Sequence, residues 1–139
     1  GYIAGIYNGI YQFLKDEKEI VIMNRSHITE IVYSFKRDYE SLEHIDWVEV
    51  EKELLKNACI IYMTAPDDVI CERFKTDKED HTLPEEISRL KFRYSLHLAL
   101  TKIPFKVLSS TEDREKNLAA AMGFIISQKW ISAKSNNKK

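Results

Sequence analysis

Three short apolar runs, each ending at polar residues and each followed by a helical pattern, constrain this chain more than any other feature. The runs occupy residues 20–23, 58–63 and 104–109. Continuous apolar runs, without alternating polar residues, are typical of strands that are covered on both faces of a parallel sheet. Helical patterns between the runs predict right-handed crossover connections. The sequence therefore predicts an α/β domain whose parallel sheet is flanked by helices, with three strands visible.

Six helices are predicted around these runs from apolar residues that recur every three or four positions and from polar residues that can cap a helix. They span residues 2–15, 27–33, 46–57, 66–74, 82–100 and 111–130. The polar stretch 75–83 is predicted to be a mobile lid. Residues 1–131 are predicted to form a single domain, and residues 132–139 a basic, disordered tail.

Composition narrows the classes of partner. The 139 residues carry a formal net charge of -1, which argues against broad attraction to nucleic acid or to an anionic membrane. No apolar run is long enough to span a bilayer, and the two cysteines, Cys59 and Cys71, lack the clustered ligands of a zinc site. We therefore expect a cytoplasmic protein with reduced cysteines that binds a small ligand through locally placed Arg and Lys. The absence of an initiator Met indicates a fragment or a processed chain.

Four motifs stand at the ends of the predicted elements. They read NRSHITEIVYS at 24–34, IIYMTAPDDVICERF at 60–74, KTDKEDH at 75–81 and FKVLSSTED at 105–113. Their order resembles the thymidylate kinase-like and deoxynucleoside kinase-like P-loop phosphotransferases of phage and bacterial type. This resemblance covers nearly the whole chain. It implies a three-layer P-loop kinase-like fold, Mg²⁺ and ATP as cofactors, and transfer of a phosphoryl group from ATP to a deoxynucleoside monophosphate such as dTMP.

The resemblance also implies an acceptor side. Its first motif normally reads Asp-Arg, in which the Asp helps to organise the Mg²⁺ shell and the Arg binds the acceptor phosphate. Here Asn24 replaces the Asp, so Mg²⁺ is expected to bind less tightly, whereas Arg25 keeps the donor fork that suits a phosphate. His27, Glu30 and Tyr33 follow at helical spacing and are candidates for an acceptor pocket. A capped amphipathic helix with Tyr33 in the core explains the same spacing.

On the donor side, the resemblance places Arg73 opposite the donor phosphates, Lys75 and Lys78 in the lid, and Ser110 and Thr111 in the loop beside the donor base. Cations on a closing loop suit phosphoryl transfer, because that reaction needs positioning and charge neutralisation. Arg73 could equally be a cation that stabilises the end of its helix. Taken singly, Lys75, Lys78 and Arg93 are interpreted as solvated charges.

One part of the family pattern is missing, because no GxxxxGK[ST] loop occurs in the sequence. In the family this loop follows a central strand that lies between the strands corresponding to residues 20–23 and 58–63. We therefore expect Val21 and Ile61 not to be hydrogen-bonded neighbours. The central strand would come from an upstream segment or from a partner chain. The resemblance is also consistent with a homodimer.

Two classes of function remain open from the sequence. The first is an enzyme that acts on nucleotides, with a nucleoside kinase as a variant if the acceptor is unphosphorylated. The second is a kinase-like scaffold or subunit that has no catalytic activity, which Asn24 favours. Membrane and nucleic-acid partners are not expected.

Overall fold

The computed structural model describes residues 2–15, 19–33, 51–52, 56–76 and 84–131, which form helices around a small parallel sheet. The helices are α1 (Tyr2–Lys15), α2 (His27–Tyr33), α3 (Asp67–Thr76), α4 (Pro84–Leu100) and α5 (Arg114–Ile126), and the strands are β1 (Ile60–Thr64) and β2 (Phe105–Ser109). The described part of the chain is therefore a mixed α/β structure. Whether it is a P-loop kinase fold stays a prediction.

The sheet consists of β1 and β2, which run parallel with Ile60 opposite Phe105. The Ile60 N–H donates to the Pro104 carbonyl over 2.9 Å, and the Thr64 carbonyl accepts from the Ser110 N–H over 2.8 Å. Backbone groups of a strand point alternately to its two edges, so Ile60, Tyr62 and Thr64 face β2. The backbone groups of Ile61 and Met63 consequently point to the opposite edge of β1, which no described strand covers.

The core lies where α2 and α4 pack together against β1. Ile28 and Val32 of α2 and Leu90 and Leu98 of α4 form a buried cluster. The ring of Tyr62 on β1 contacts that of Tyr94 on α4, with centroids 5.2 Å apart. This cluster fixes the orientation of α2, and so of the residues just before it.

Arg93 stabilises the end of α2. The interpretation of Arg93 as a simple solvated charge, made from the sequence, is therefore wrong. Its Nε and Nη2 donate to the carbonyls of Val32 and Ile31, both over 2.8 Å. The last carbonyls of a helix have no partners within the helix, so a cation suits this position. Partial burial, followed by the charge of Arg89, lowers the pKa of the Arg93 guanidinium.

The structure confirms most of the predicted elements. Helices are present at the predicted positions for 2–15, 27–33, 66–74, 82–100 and 111–130, although the last runs only from Arg114, after the cap Asp113, to Ile126. The runs 58–63 and 104–109 form β1 and β2. The prediction that 20–23 forms a strand is wrong for the described structure, because these residues are irregular and make no ladder. The side chains of Ile22 and Ile20 are 88% and 55% exposed.

Some predictions lie outside the described residues. They are the helix 46–57 apart from residues 51–52 and 56–57, the lid apart from Lys75 and Thr76, and the tail 132–139. Lys78 is among these residues. Of the helices that the structure describes, none combines the length and the apolar character that crossing a membrane requires.

Candidate functional site

A cavity of about 840 Å³ borders the uncovered edge of β1. The irregular segment 20–23 and β1 both line it, as do apolar side chains from the surrounding helices. Arg25, Thr64 and Lys91 line the same cavity, where β1 reaches its carboxyl end. In open α/β sheets ligands bind in the crevice outside the carboxyl ends of the strands. This cavity is therefore the candidate site.

Arg25 enters the cavity from an uncommon backbone conformation. Its φ of 75° lies in the left-handed region, where a side chain other than glycine is strained. The next residue, Ser26, caps α2, since its hydroxyl accepts from the Ile28 N–H over 3.2 Å. The strained residue Arg25 thus lies in the connection between the segment 20–23 and the capped helix α2. Strained residues of this kind concentrate at functional sites.

Three tyrosines line the cavity near Arg25. The Tyr94 ring lies between those of Tyr33 and Tyr62, with centroids 6.5 Å and 5.2 Å away. The Tyr94 hydroxyl donates to Thr29 Oγ1 over 3.2 Å. Burial is the main cause that raises the pKa of Tyr94, and the hydrogen bond with Thr29 and the charge of Arg25 oppose it. This wall offers flat aromatic surface beside a guanidinium group.

Lys91 is a second cation at the cavity, and no sequence motif pointed to it. Its Nζ donates to the Ala65 carbonyl over 2.9 Å and to Asp67 Oδ1 over 2.6 Å. The Ser88 hydroxyl donates to the other oxygen of Asp67 over 2.9 Å. These contacts tie α4 to the loop that follows β1. In the sequence, only the position of Lys91 directly after the core residue Leu90 could have marked it as a candidate site residue. That position does not show that Asp67 is its partner.

Arg73 and Ser110, both predicted on the donor side, lie together. Arg73 Nη1 donates to the Ser110 hydroxyl over 2.8 Å, so α3 reaches the loop that follows β2. The hydroxyls of Ser109 and Thr111 lie 2.7 Å apart, and Asn117 Nδ2 donates to the Ser109 carbonyl over 2.7 Å. The loop after β2 is consequently held in place, with Arg73 and Thr111 exposed beside it.

The remaining predicted residues have different surroundings. Asn24 is exposed, Glu30 is half-buried on α2, and Lys75 forms an exposed ion pair with Glu72 over 2.8 Å. Tyr33 packs against the core cluster, as the alternative interpretation held, and it also lines the cavity.

His27 is the only buried polar residue among the described residues, at 1% exposure. Its Nδ1 lies 2.8 Å from the Tyr11 hydroxyl, and its Nε2 lies 2.9 Å from Glu51 Oε1. An ionised carboxylate can only accept, so Nε2 carries a proton and the Tyr11 hydroxyl donates to Nδ1 when the ring is neutral. His27 therefore has a packing role that connects α1 and α2 with Glu51. Its place in an acceptor pocket stays a prediction.

The described residues do not fit a Mg²⁺ centre of their own. Mg²⁺ is usually bound by one or two carboxylates together with substrate phosphates. At the position where the family has an Asp, this chain offers the neutral amide of Asn24, and no three His, Cys, Asp or Glu side chains cluster within the described ranges. The sequence also contains no phosphate loop for ATP. Among the described residues, Arg25 and Lys91 line the cavity, and Arg73 lies beside the loop after β2.

Comparisons of the chain with protein-family models, with curated proteins and with solved structures found no match.

Proposed function

We propose that this chain provides the acceptor side, and part of the donor side, of an enzyme that transfers a phosphoryl group from ATP to a deoxynucleoside monophosphate. One observation carries the proposal. Arg25, in a strained conformation, lines a cavity at the carboxyl end of β1 together with Lys91 and an aromatic wall. A guanidinium group suits a phosphate, and the tyrosine rings suit a base.

Two further observations support the assignment. Val21 and Ile61 are not hydrogen-bonded neighbours, as expected if a strand is missing between the two segments. Arg73 lies beside the loop after β2, where the resemblance implies donor contacts, and its hydrogen bond to Ser110 orients it there. The proposal requires that the phosphate loop come from sequence other than these 139 residues.

Steady-state kinetics of the complete gene product with ATP and a panel of nucleosides and monophosphates tests the proposal. We expect turnover with a monophosphate. Arg25→Ala should raise the KM for that acceptor at least about tenfold, because a hydrogen bond to a charged group contributes about 1.5 to 3 kcal/mol. Arg73→Ala should raise the KM for ATP instead. Arg114→Ala, which removes an exposed arginine outside the cavity, is the matched control and should change neither value.

The other outcomes separate the alternatives. Turnover of nucleosides but not of monophosphates would identify a deoxynucleoside kinase and leave Arg25 without its assigned role. A folded gene product that turns over no acceptor, and binds none in calorimetry, would overturn the enzyme proposal. The exposed Asn24 in place of a carboxylate would then support a scaffold that has lost its catalytic activity.

A further inference from the structure

Lys91 places a positive charge at the carboxyl end of β1. Its Nζ donates to the carbonyl of Ala65, the residue that directly follows β1, over 2.9 Å. Lys91 lines the cavity together with Arg25, and ligands of open α/β sheets bind outside this end of the strands. Among the described residues, Glu19 is the acidic one that lines the cavity, and it precedes the segment 20–23, whereas Arg25 follows that segment. The cavity therefore has a cation that is fixed at the end of β1 and a second one in Arg25.

The ion pair between Lys91 and Asp67 is one that the lysine can leave at low cost. Its two side chains are 33% and 49% exposed, and ion pairs with that much contact with water contribute little to stability. Asp67 does not depend on Lys91 alone. The Ser88 hydroxyl donates to its other oxygen over 2.9 Å, and the carboxylate lies in the first turn of α3, at the positive end of the helix dipole. Because a lysine ammonium is a compact charge on a flexible stem, it can turn from Asp67 into the cavity.

The charges of Lys91 and Arg25 match those of a phosphate monoester. Such a group carries a charge of about −1.5 to −2 at neutral pH, because its second pKa is about 6. A guanidinium group can bind two of its oxygens in a fork, and an ammonium group adds a point charge at another oxygen. An unphosphorylated nucleoside offers no anionic group to either cation. The two cations together therefore favour a monophosphate over a nucleoside, a choice that the sequence left open.

We propose that Lys91 is a phosphate-binding residue of the acceptor site, and that it exchanges the carboxylate of Asp67 for the phosphate of the acceptor. This inference rests on the proposed function, because it requires a phosphorylated acceptor in the cavity. Asp67 and the phosphate compete for the same ammonium group. Removal of the lysine charge and removal of the aspartate charge therefore have opposite effects on the binding of a monophosphate. A pair that served only to link α4 to the loop after β1 would respond to both changes in the same direction.

Isothermal titration calorimetry of the complete gene product tests the inference, with deoxynucleoside monophosphates and the matching deoxynucleosides as probes and without ATP. Lys91→Met keeps most of the stem and removes the charge. It should raise the Kd of the monophosphate at least about tenfold and leave that of the nucleoside unchanged. Asp67→Asn keeps the shape of the side chain and should lower the Kd of the monophosphate about two- to fivefold, because the competing charge is gone. Lys106→Met removes an exposed lysine that does not line the cavity, and as the matched control it should change neither Kd.

The double variant separates exchange from simple repulsion between Asp67 and the phosphate. In the Lys91→Met background, Asp67→Asn should no longer tighten the binding of the monophosphate, because Asp67 acts through Lys91. Thermal melts establish that each variant is folded. If Lys91→Met unfolds the protein, Asp67→Asn decides alone: tighter binding of the monophosphate supports the inference, and unchanged or weaker binding overturns it.

Three further results would overturn the inference. The first is monophosphate binding that is unchanged in Lys91→Met, and the second is an equal loss of affinity for monophosphate and nucleoside. The third is a gain from Asp67→Asn that persists without Lys91. Failure of the proposed function is distinguishable from these results. The expected changes in binding without any phosphoryl transfer would overturn the proposed reaction alone, whereas turnover that falls in Arg25→Ala but not in Lys91→Met would overturn this inference alone. A folded gene product that binds no monophosphate would overturn both.

Discussion

Removal of the Glu51 carboxylate should destabilise the protein, because this group connects three parts of the chain. Its Oε1 accepts from His27 Nε2 and from the Thr101 hydroxyl, each over 2.9 Å. Through His27 the carboxylate also reaches Tyr11 on α1. Glu51→Ala thus removes the hydrogen bond between the carboxylate and the buried imidazole of His27. We expect the free energy of unfolding to fall.

The expected magnitude follows from the contacts. A hydrogen bond to a charged group contributes about 1.5 to 3 kcal/mol, and two of them end at the same carboxylate oxygen. The Glu51 side chain is 16% exposed, so water can replace part of what is lost. We therefore expect Glu51→Ala to lower the free energy of unfolding by about 2 to 3 kcal/mol. In urea unfolding this corresponds to a midpoint about 1 to 2 M lower, given the dependence of the unfolding free energy on urea concentration that is typical of a small protein.

Urea unfolding followed by circular dichroism measures this shift. Glu72→Ala is the matched control, because Glu72 accepts from Lys75 in an ion pair whose side chains are 72% and 69% exposed. Exposed pairs contribute little, so the control should leave the midpoint unchanged. Tyr11→Phe should cost about 1 kcal/mol, and less than that in the Glu51→Ala background if the two side chains act through His27. Equal midpoints for Glu51→Ala and Glu72→Ala would refute the reasoning.

The remaining predictions concern pH and the end of α2. Although burial opposes the shift, hydrogen bonds from His27 and Thr101 lower the pKa of Glu51 below its ordinary 4.5. The contribution of the Glu51 carboxylate to stability is therefore present above pH 4.5 and is lost as the pH falls through the lowered pKa. Glu51→Gln should therefore flatten the acid limb of a plot of unfolding free energy against pH, and an unchanged limb would contradict this. Burial, followed by the charge of Arg93, lowers the pKa of His97 below 6.5. The unfolded chain therefore binds the proton more readily than the folded protein does, and the free energy of unfolding falls as the pH drops below 6.5. His97→Gln should remove that part of the slope in thermal melts between pH 7 and 5. Arg93→Ala should lower the free energy of unfolding by about 1 to 3 kcal/mol, because it removes the two hydrogen bonds that Arg93 donates to helix-end carbonyls. Arg93→Lys should restore only part of this loss, since a lysine cannot direct two donors in a fork. Complete rescue by lysine in urea unfolding would show that charge alone matters.

Predictions from local patterns succeeded where the pattern itself carries the physical cause. Ser26 caps α2 with its own hydroxyl, whereas α5 is capped by Asp113, two residues after the helix start that the sequence predicted. The sequence pattern also located α4, which runs over Pro84–Leu100. In each case the interacting groups lie within one or two turns of sequence, so spacing is sufficient.

Contacts between distant residues could not be predicted in the same way. The sequence does not show that Lys91 meets Asp67, or that both ring nitrogens of His27 are engaged by residues 16 and 24 positions away. Such partners depend on how elements pack, and the same residues are compatible with solvated charges. Arg73 and Ser110 were linked only because a family resemblance placed both on the donor side.

The segment 20–23 shows why an apolar run alone does not make a strand. A strand exists through its ladder, because each buried N–H and C=O needs a partner on the adjacent chain. The runs 58–63 and 104–109 provide hydrogen-bonding partners for each other and form β1 and β2. The segment 20–23, by contrast, borders a cavity and has no adjacent strand among the described residues. Its four apolar side chains are at least 38% exposed. Their composition suits a buried strand, so the difference between prediction and structure lies in the missing neighbour rather than in the residues themselves.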